Sequence, residues 1–219
     1  MGTAATAKCP KCGSEVDVEI VSSLKAGDDN VAALFKGELN HAACPACGVK
    51  FAVDTPLTYR DDNDAFIAFL MEEPEGGSCE SLETEVDAMA TEVFMKEDLK
   101  RPVVRLTFSM PDFLEKIALH QRGFDDRLME FAKLQLFRTM EEPQLSRSRH
   151  RLLFDYSRSN DEDLMFIVYD RDEMKPVNAI QVPMDEFKSL ERELMEREDL
   201  QAELDAAFPG CHVSADRLL

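Results

Sequence analysis

The chain has 219 residues, 44% apolar and 32% charged, with 44 acidic against 25 basic side chains and a formal net charge of −19. That length suits one large domain or two small ones with a real core, and the composition is that of a folded soluble protein, not a disordered or collagenous one. The acidic excess repels phosphate backbones and anionic headgroups, which disfavours general nucleic-acid or membrane-surface binding, and no window of eighteen apolar residues offers a membrane-spanning helix.

The acidity is segmental. Residues 61–100 carry a net −11 and 151–219 a net −9, whereas 1–60 are near neutral at −1 and 101–150 reach +2. The opening MGTAATAKCPKCG has neither the basic start nor the apolar stretch of a secretory signal. Gly2 and Thr6 fit a lipidation pattern formally, but an ordinary small-residue start is the preferred reading. Four of the six cysteines fall in paired motifs instead of a disulfide-like framework, so a reducing interior, the cytoplasm, is the expected location.

The strongest signal is Cys9-Pro10-Lys11-Cys12-Gly13 and its counterpart Cys44-Pro45-Ala46-Cys47-Gly48. Two C-x₂-C pairs can offer four thiolates to one tetrahedral metal, the usual arrangement of a structural zinc site. Each pair needs a tight turn that sets both sulfurs on one side. Proline fixes one torsion and glycine accepts the left-handed exit. Lys8, Lys11 and Lys50 flank the cysteines and would offset the −2 of a zinc–tetrathiolate cluster. Redox C-x₂-C chemistry does not require two matched units. Catalytic zinc would need an open coordination position that four thiolates do not leave. Iron remains compatible with tetrahedral sulfur. His41, three residues before Cys44, is read as a surface or supporting residue, with substitute ligand as the alternative.

Alternating Val16, Val18 and Ile20 follow the first motif, and Val49, Phe51 and Val53 the second. Period two predicts half-buried strands, so a turn feeding a strand occurs twice, as in a zinc ribbon. The 31 residues between Cys12 and Cys44 exceed what a minimal ribbon needs. Residues 28–39 read as an inserted helix, capped by Asp28 or Asp29, with Val31, Leu34 and Phe35 inward.

Further along, 64–71 predict a strand, and EEPEGG at 72–77 breaks the chain. Residues 80–95 predict an acidic helix with Leu82, Val86, Met89 and Val93 on its inner face; its outer face is a solvated surface or a docking face for a basic partner. Residues 103–108 predict a strand through Val104, Leu106 and Phe108, and Ser109 with Pro111 and Asp112 opens a helix with Phe113, Leu114, Ile117 and Ala118 inward. Gly123 ends it. A second helix spans about 125–140 with Leu128, Phe131, Leu134 and Phe137 inward. Strands follow at 151–156, 164–169 and 177–182, the nearly all-apolar middle one central. One long helix is predicted over 184–206, with Phe187, Leu190 and Leu194 inward and an Arg192–Glu196 pair outward, then a last short strand at 211–215.

Other chemistry candidates are thin. Cys79 reads as structural, and adjacent Cys211 and His212 would point apart in a strand. The acidic turn at 160–163 lacks calcium-loop spacing. His120 with Asp125 and Asp126 is the best enzyme-like cluster, because a helix end and the next helix start can converge.

CPKCG at 9–13, GELN at 37–40, CPACG at 44–48 and PLTYRD at 56–61 together resemble the CpXC domain family. The likeness covers roughly 7–120, and the segments beyond, with RGFDDR at 122–127, look like the architecture in which that domain sits. Paired CPxCG units are common to many ribbons; GELN and PLTYRD make the likeness specific. The resemblance implies a bacterial cytoplasmic protein of a family whose function is uncharacterised, with Cys9, Cys12, Cys44 and Cys47 as metal ligands. Arg60 stands where that pattern leads one to expect histidine or a similar residue.

These readings give a mixed α/β (α+β) fold: a four-cysteine zinc ribbon with a helical insertion, at 1–60, packed on an α/β body with a mainly antiparallel sheet, at 61–219. The expected cofactor is one structural Zn²⁺ per chain. The expected role is a non-enzymatic protein-interaction or adaptor module with a protein partner, and assembly of like copies is open. The alternatives are an enzyme with a cleft near His120, Asp125 and Asp126, or a weak nucleic-acid-binding ribbon using Lys8, Lys11, Lys25, Lys36 and Lys50.

Overall fold

A computed structural model describes residues 2–76, 79–142 and 144–219. The chain divides into two compact units, Met1–Met110 and Pro111–Leu219.

In the first unit, β1 (Thr3–Lys8) and β2 (Glu15–Ile20) form an antiparallel hairpin in register Lys8↔Glu15. The opening residues, read from sequence as a featureless start, are therefore a strand, and Cys9–Ser14 is the hairpin's turn. The short β3 (Ser23–Lys25) and α1 (Asp29–Phe35) come next. Asp28 precedes α1, but its carboxylate accepts from the Lys25 amide at 3.1 Å and not from the helix. Val31 and Leu34 are buried as expected. A second antiparallel hairpin, β4 (His41–Ala43) and β5 (Lys50–Ala52), repeats the first in register Ala43↔Lys50.

A four-stranded sheet completes this unit, in the order β3, β6 (Leu57–Asp61), β7 (Phe66–Leu70), β8 (Val103–Thr107). β3–β6 and β7–β8 are parallel and β6–β7 antiparallel. The parallel step from β7 to β8 is made through α2 (Glu80–Lys96), which packs on β8. Strands β3 and β6 were not anticipated, although Leu57, Tyr59 and Asp61 alternate buried with half-buried Thr58 and Arg60. Of the expected break at 72–77, Glu75 and Gly76 form a turn, and Gly77 lies outside the described residues.

Helix α2 faces inward with Glu83, Val86, Ala90 and Phe94, not with the expected Leu82, Val86, Met89, Val93 stripe. Met89 and Val93 are exposed. Both stripes pass through Val86, so periodicity alone cannot separate them. Packing does: Phe94 has the most apolar area to hide and is fully buried, while Ala90 allows close approach to the sheet. Arg60 then lies over the Phe94 ring, 4.5 Å from its centroid, and pairs with Asp62 and Glu97.

The second unit begins with α3 (Met110–Gln121) and α4 (Asp126–Thr139). Gly123 (φ 73°) closes α3 by donating to the His120 carbonyl at 3.0 Å. The expected inner stripe of α4 is buried at all four positions. A three-stranded antiparallel sheet follows, β9 (His150–Phe154), β10 (Asp163–Asp170), β11 (Lys175–Pro183), with β10 central. Only Leu164, Phe166 and Val168 of β10 are buried, so this apolar strand covers a core on one face. Phe124 packs edge-on against Phe154 and Phe187 at centroid distances of 6.0 and 5.8 Å.

The single helix expected over 184–206 is two, α5 (Met184–Glu196) and α6 (Glu198–Ala207). A straight continuation of Phe187, Leu190 and Leu194 needs an apolar side chain at 197 or 198, where Arg197 and Glu198 stand. Arg197 leaves helical geometry (φ −115°, ψ 106°), and the break lets Leu200 and Leu204 pack on the same core. Arg192 turns its Nε to the Lys188 carbonyl at 3.2 Å instead of laddering to Glu196. The strand expected at 211–215 is also absent. Val213 and Ala215 are buried without a sheet partner, and a 3₁₀ turn (Ala215–Leu218) follows.

This second core encloses charges. Lys133 Nζ pairs with Glu115 (2.8 Å) and Glu130 (2.9 Å), and Lys116 Nζ with Glu130 (3.0 Å) and Asp126 (3.1 Å), all five residues being buried. Backbone amides complete the set: Phe154 donates to Glu115, and Ala215 to Glu130 at 2.9 Å. Burial opposes charge on Glu130, but Lys116 and Lys133 hold its carboxyl down at about 2. For Glu115 desolvation prevails and raises it. Outside this set, Asp216 accepts from Arg171 and forms an ion pair with Arg151, each at 2.7 Å.

The fold is thus the mixed α/β class expected, with five antiparallel and two parallel strand pairings among the described residues. Among the described residues, no helix is long and apolar enough to cross a membrane.

Candidate metal centre

The two cysteine turns are built alike. In the first, the Cys9 amide donates to Ser14 O and the Gly13 amide to Cys9 O, both at 2.9 Å. In the second, the Cys44 amide donates to Val49 O (2.9 Å) and the Gly48 amide to Cys44 O (2.8 Å). Gly13 (φ 74°) and Gly48 (φ 72°) take the left-handed conformation that lets each loop return to its strand. Backbone N–H groups also reach sulfur, from Ser14 to Cys12 and from Val49 to Cys47. In both turns it is the second cysteine that receives the amide two residues on.

The hairpins meet sulfur to sulfur. Cys9 Sγ lies 3.6 Å from Cys47 Sγ, and Cys12 Sγ lies 3.5 Å from Cys44 Sγ. All four sulfurs fall within 4.8 Å of one another. A tetrahedral Zn²⁺ with Zn–S of about 2.3 Å sets its sulfurs about 3.8 Å apart, so both cross-hairpin contacts are already close to that edge. The four-cysteine cluster can coordinate a metal ion.

Asn40 helps to align the hairpins. Its side-chain Oδ1 accepts from the Val21 amide (2.8 Å), its Nδ2 donates to the Val21 carbonyl (2.9 Å), and its own carbonyl accepts from Val53 (2.9 Å). It therefore ties the end of β2 to both ends of the second hairpin. Asn40 sits at φ 55°, a conformation asparagine tolerates better than most side chains. This gives GELN a structural meaning that sequence reading missed; the signal was an asparagine directly before a strand. Beneath the sulfurs lies a small apolar set of Val16 and Ala42, with Val18, Val49, Phe51 and Val53 packed around it.

The four cysteines are not equivalent. Cys9 and Cys44 are buried at 2% exposure each, Cys47 is half-buried and Cys12 is exposed. As free thiols they also differ in acidity. Hydrogen bonds with the Ser14 hydroxyl (3.3 Å) and amide lower Cys12 to about 6. Cys47 gains from the Val49 amide, yet desolvation and the three other sulfurs push it up to about 12. A bound divalent cation favours the thiolate form of all four.

A family model described as CpXC protein matches residues 7–133. The chain belongs to the CpXC protein family. The matched stretch takes in all four cysteines, GELN and PLTYRD of this CpXC protein. No curated protein and no solved structure matches it.

The remaining candidates are placed as follows. His41 is exposed, with Nδ1 3.1 Å from the Leu39 carbonyl. Cys79 and Cys211 are buried thiols outside the four-sulfur cluster, and His212 is half-buried. Asn160 Oδ1 accepts from the Glu162 and Asp163 amides, which closes the acidic turn on itself. The two aspartates grouped with His120 act separately. Asp125 caps α4, accepting from Arg127 N (2.8 Å) and Leu128 N (3.4 Å), while Asp126 pairs with Lys116 in the core. His120 occupies the last turn of α3.

Proposed function

We propose that Cys9, Cys12, Cys44 and Cys47 hold one Zn²⁺ per chain as a structural ion, and that the protein acts through protein contacts in a reducing cytoplasm and not through a reaction. The carrying observation is the pair of cross-hairpin sulfur contacts at 3.5 and 3.6 Å, made by two turns of the same construction. Four thiolates suit zinc and leave no position for a substrate or water. The ion would supply cross-linking energy: it joins two short hairpins whose own apolar contacts are few. The outward face of α2 supports the adaptor reading, because Met89, Val93 and Met95 are exposed along a helix otherwise rich in acids.

An enzyme built on His120, Asp125 and Asp126 is supported less, since a helix cap and a buried lysine already engage the two carboxylates. A nucleic-acid interface through Lys8, Lys11, Lys25, Lys36 and Lys50 has exposed cations but works against a net charge of −19. The test is elemental analysis of protein produced in reducing cytoplasm. About one zinc per chain is expected, lost in Cys44→Ser together with the hairpin structure. Metal-free protein with intact hairpins would end this reading.

A further inference from the structure

We propose that Cys12 is the modification site of the metal centre: a hydroperoxide oxidises its sulfur, Cys44 resolves the product as a disulfide across the two hairpins, and the zinc is given up. The inference rests on the zinc reading above and adds to it a route of release.

Two independent observations lead there. The first is access. Cys12 is exposed, whereas Cys9 and Cys44 are each only 2% exposed and Cys47 is half-buried. A hydroperoxide that must reach a sulfur lone pair from solvent meets Cys12 first. The second is the neighbour. Cys44 Sγ stands 3.5 Å from Cys12 Sγ, in a buried residue. A disulfide needs the sulfurs at about 2.05 Å, so about 1.5 Å of approach converts this contact into a bond. The access is on one hairpin and the resolving sulfur on the other, which makes the expected product a cross-hairpin link.

The chemistry balances in two steps. The Cys12 thiolate attacks the outer oxygen of the hydroperoxide. The O–O bond breaks, an alkoxide (hydroxide, for hydrogen peroxide) leaves, and Cys12 becomes a sulfenic acid, oxidised by two electrons as the peroxide is reduced. The Cys44 thiolate then attacks the Cys12 sulfur, the S–S bond forms, and hydroxide departs from the S–OH bond. Of the four donors only Cys9 and Cys47 then remain as thiolates, too few to retain the ion against water. A thiol reductant returns both sulfurs to thiolates and restores the four-donor set, so the sequence is reversible unless Cys12 is oxidised past the sulfenic stage.

The experiment uses the full chain loaded with zinc and treated with hydrogen peroxide. Zinc release is followed by a chromogenic chelator, and the remaining thiols are alkylated before tryptic digestion. Lys11, Lys25, Lys36 and Lys50 separate Cys9, Cys12 and the Cys44/Cys47 pair into three peptides. The expected result is release of one zinc per disulfide and linkage of peptide 12–25 to 37–50, reversed by dithiothreitol, with fragment-ion sequencing placing the bond on Cys12 and Cys44 and the alkyl group on Cys47. Cys12→His keeps a Cys₃His donor set that zinc accepts, and zinc release from it should slow at least about tenfold. First modification at Cys9, Cys44 or Cys47, a Cys9–Cys12 or Cys44–Cys47 link, or retention of zinc through complete thiol oxidation would each overturn the proposal. Should Cys12→His fail to hold zinc, the wild-type peptide map decides alone. Protein that never carries zinc ends the structural-zinc reading instead, and peroxide on its free thiols still tests the Cys12–Cys44 pairing.

Discussion

Around the cysteine turns the buried set is small, Cys9, Val16, Ala42 and Cys44, and two of those four are thiols. In the unit Pro111–Leu219 the core is rich in aromatic and aliphatic side chains, and it nonetheless encloses Glu115, Lys116, Asp126, Glu130 and Lys133. One region has little apolar area of its own and gathers four sulfurs that can coordinate a metal ion. The other has apolar area to spare and supplies its cations itself. Backbone N–H groups serve the acidic groups of both regions: Ser14 and Val49 at the sulfurs, Phe154 and Ala215 at the carboxylates. The difference is in reversibility. A lysine cannot be chelated, whereas a metal can, so a metal held by the four sulfurs would make the first region's stability depend on the supply of that ion, which the second region's does not.

Removing the metal breaks the comparison most sharply. Structural zinc contributes of order 10 kcal/mol to modules of this kind. Strong chelation should therefore abolish hydrogen-exchange protection across 3–20 and 41–52 while 150–183 stay protected. Equal loss in both regions would mean that the second core does not stand on its own apolar area. Next in size is Lys133→Met, which leaves Glu115 and Glu130 short of a partner inside the core. A loss of about 3–5 kcal/mol is expected in urea unfolding.

Acid separates the two acids of that cluster. Glu130 has its carboxyl lowered to about 2. Its contribution is thus present above the ordinary glutamate range near 4.5 and disappears as pH falls toward 2, about 3 kcal/mol in all. Glu115 is raised, so its protonation on acidification relieves the fold instead. Stability measured from pH 6 downward should fall mainly below pH 4.5, and Glu130→Gln should flatten that limb. The smallest effect is at the joint between hairpins. Asn40→Gly keeps the φ of 55° but deletes the bonds to Val21, and should weaken the holo protein by about 1–2 kcal/mol with zinc still bound.

The four-sulfur cluster was legible because it is local chemistry: Cys-Pro-x-Cys-Gly fixes its own turn, and two copies imply one shared centre. Strands β2, β7 and β10 and the inner face of α4 were equally legible, since each is a periodic apolar run. Residues 3–8 were not, because a small polar strand shows no alternation until it has a partner. Leu57 and Tyr59 did alternate, but over five residues that end in charges.

What the amino-acid order determined by itself was the set of turns, donors and periods, all of which act within a few residues. What the tertiary structure decided was selection among locally equal options. It chose the Phe94 face of α2 over the Met89 face because one aromatic ring had more area to bury, and it broke the last helix at Arg197 to keep Leu200 and Leu204 on the core. It also sent Asp126, Glu115 and Glu130 into an interior where distant lysines and a distant tail amide could meet them. Such choices depend on groups far apart in sequence, whose energies exist only once the chain has closed on itself.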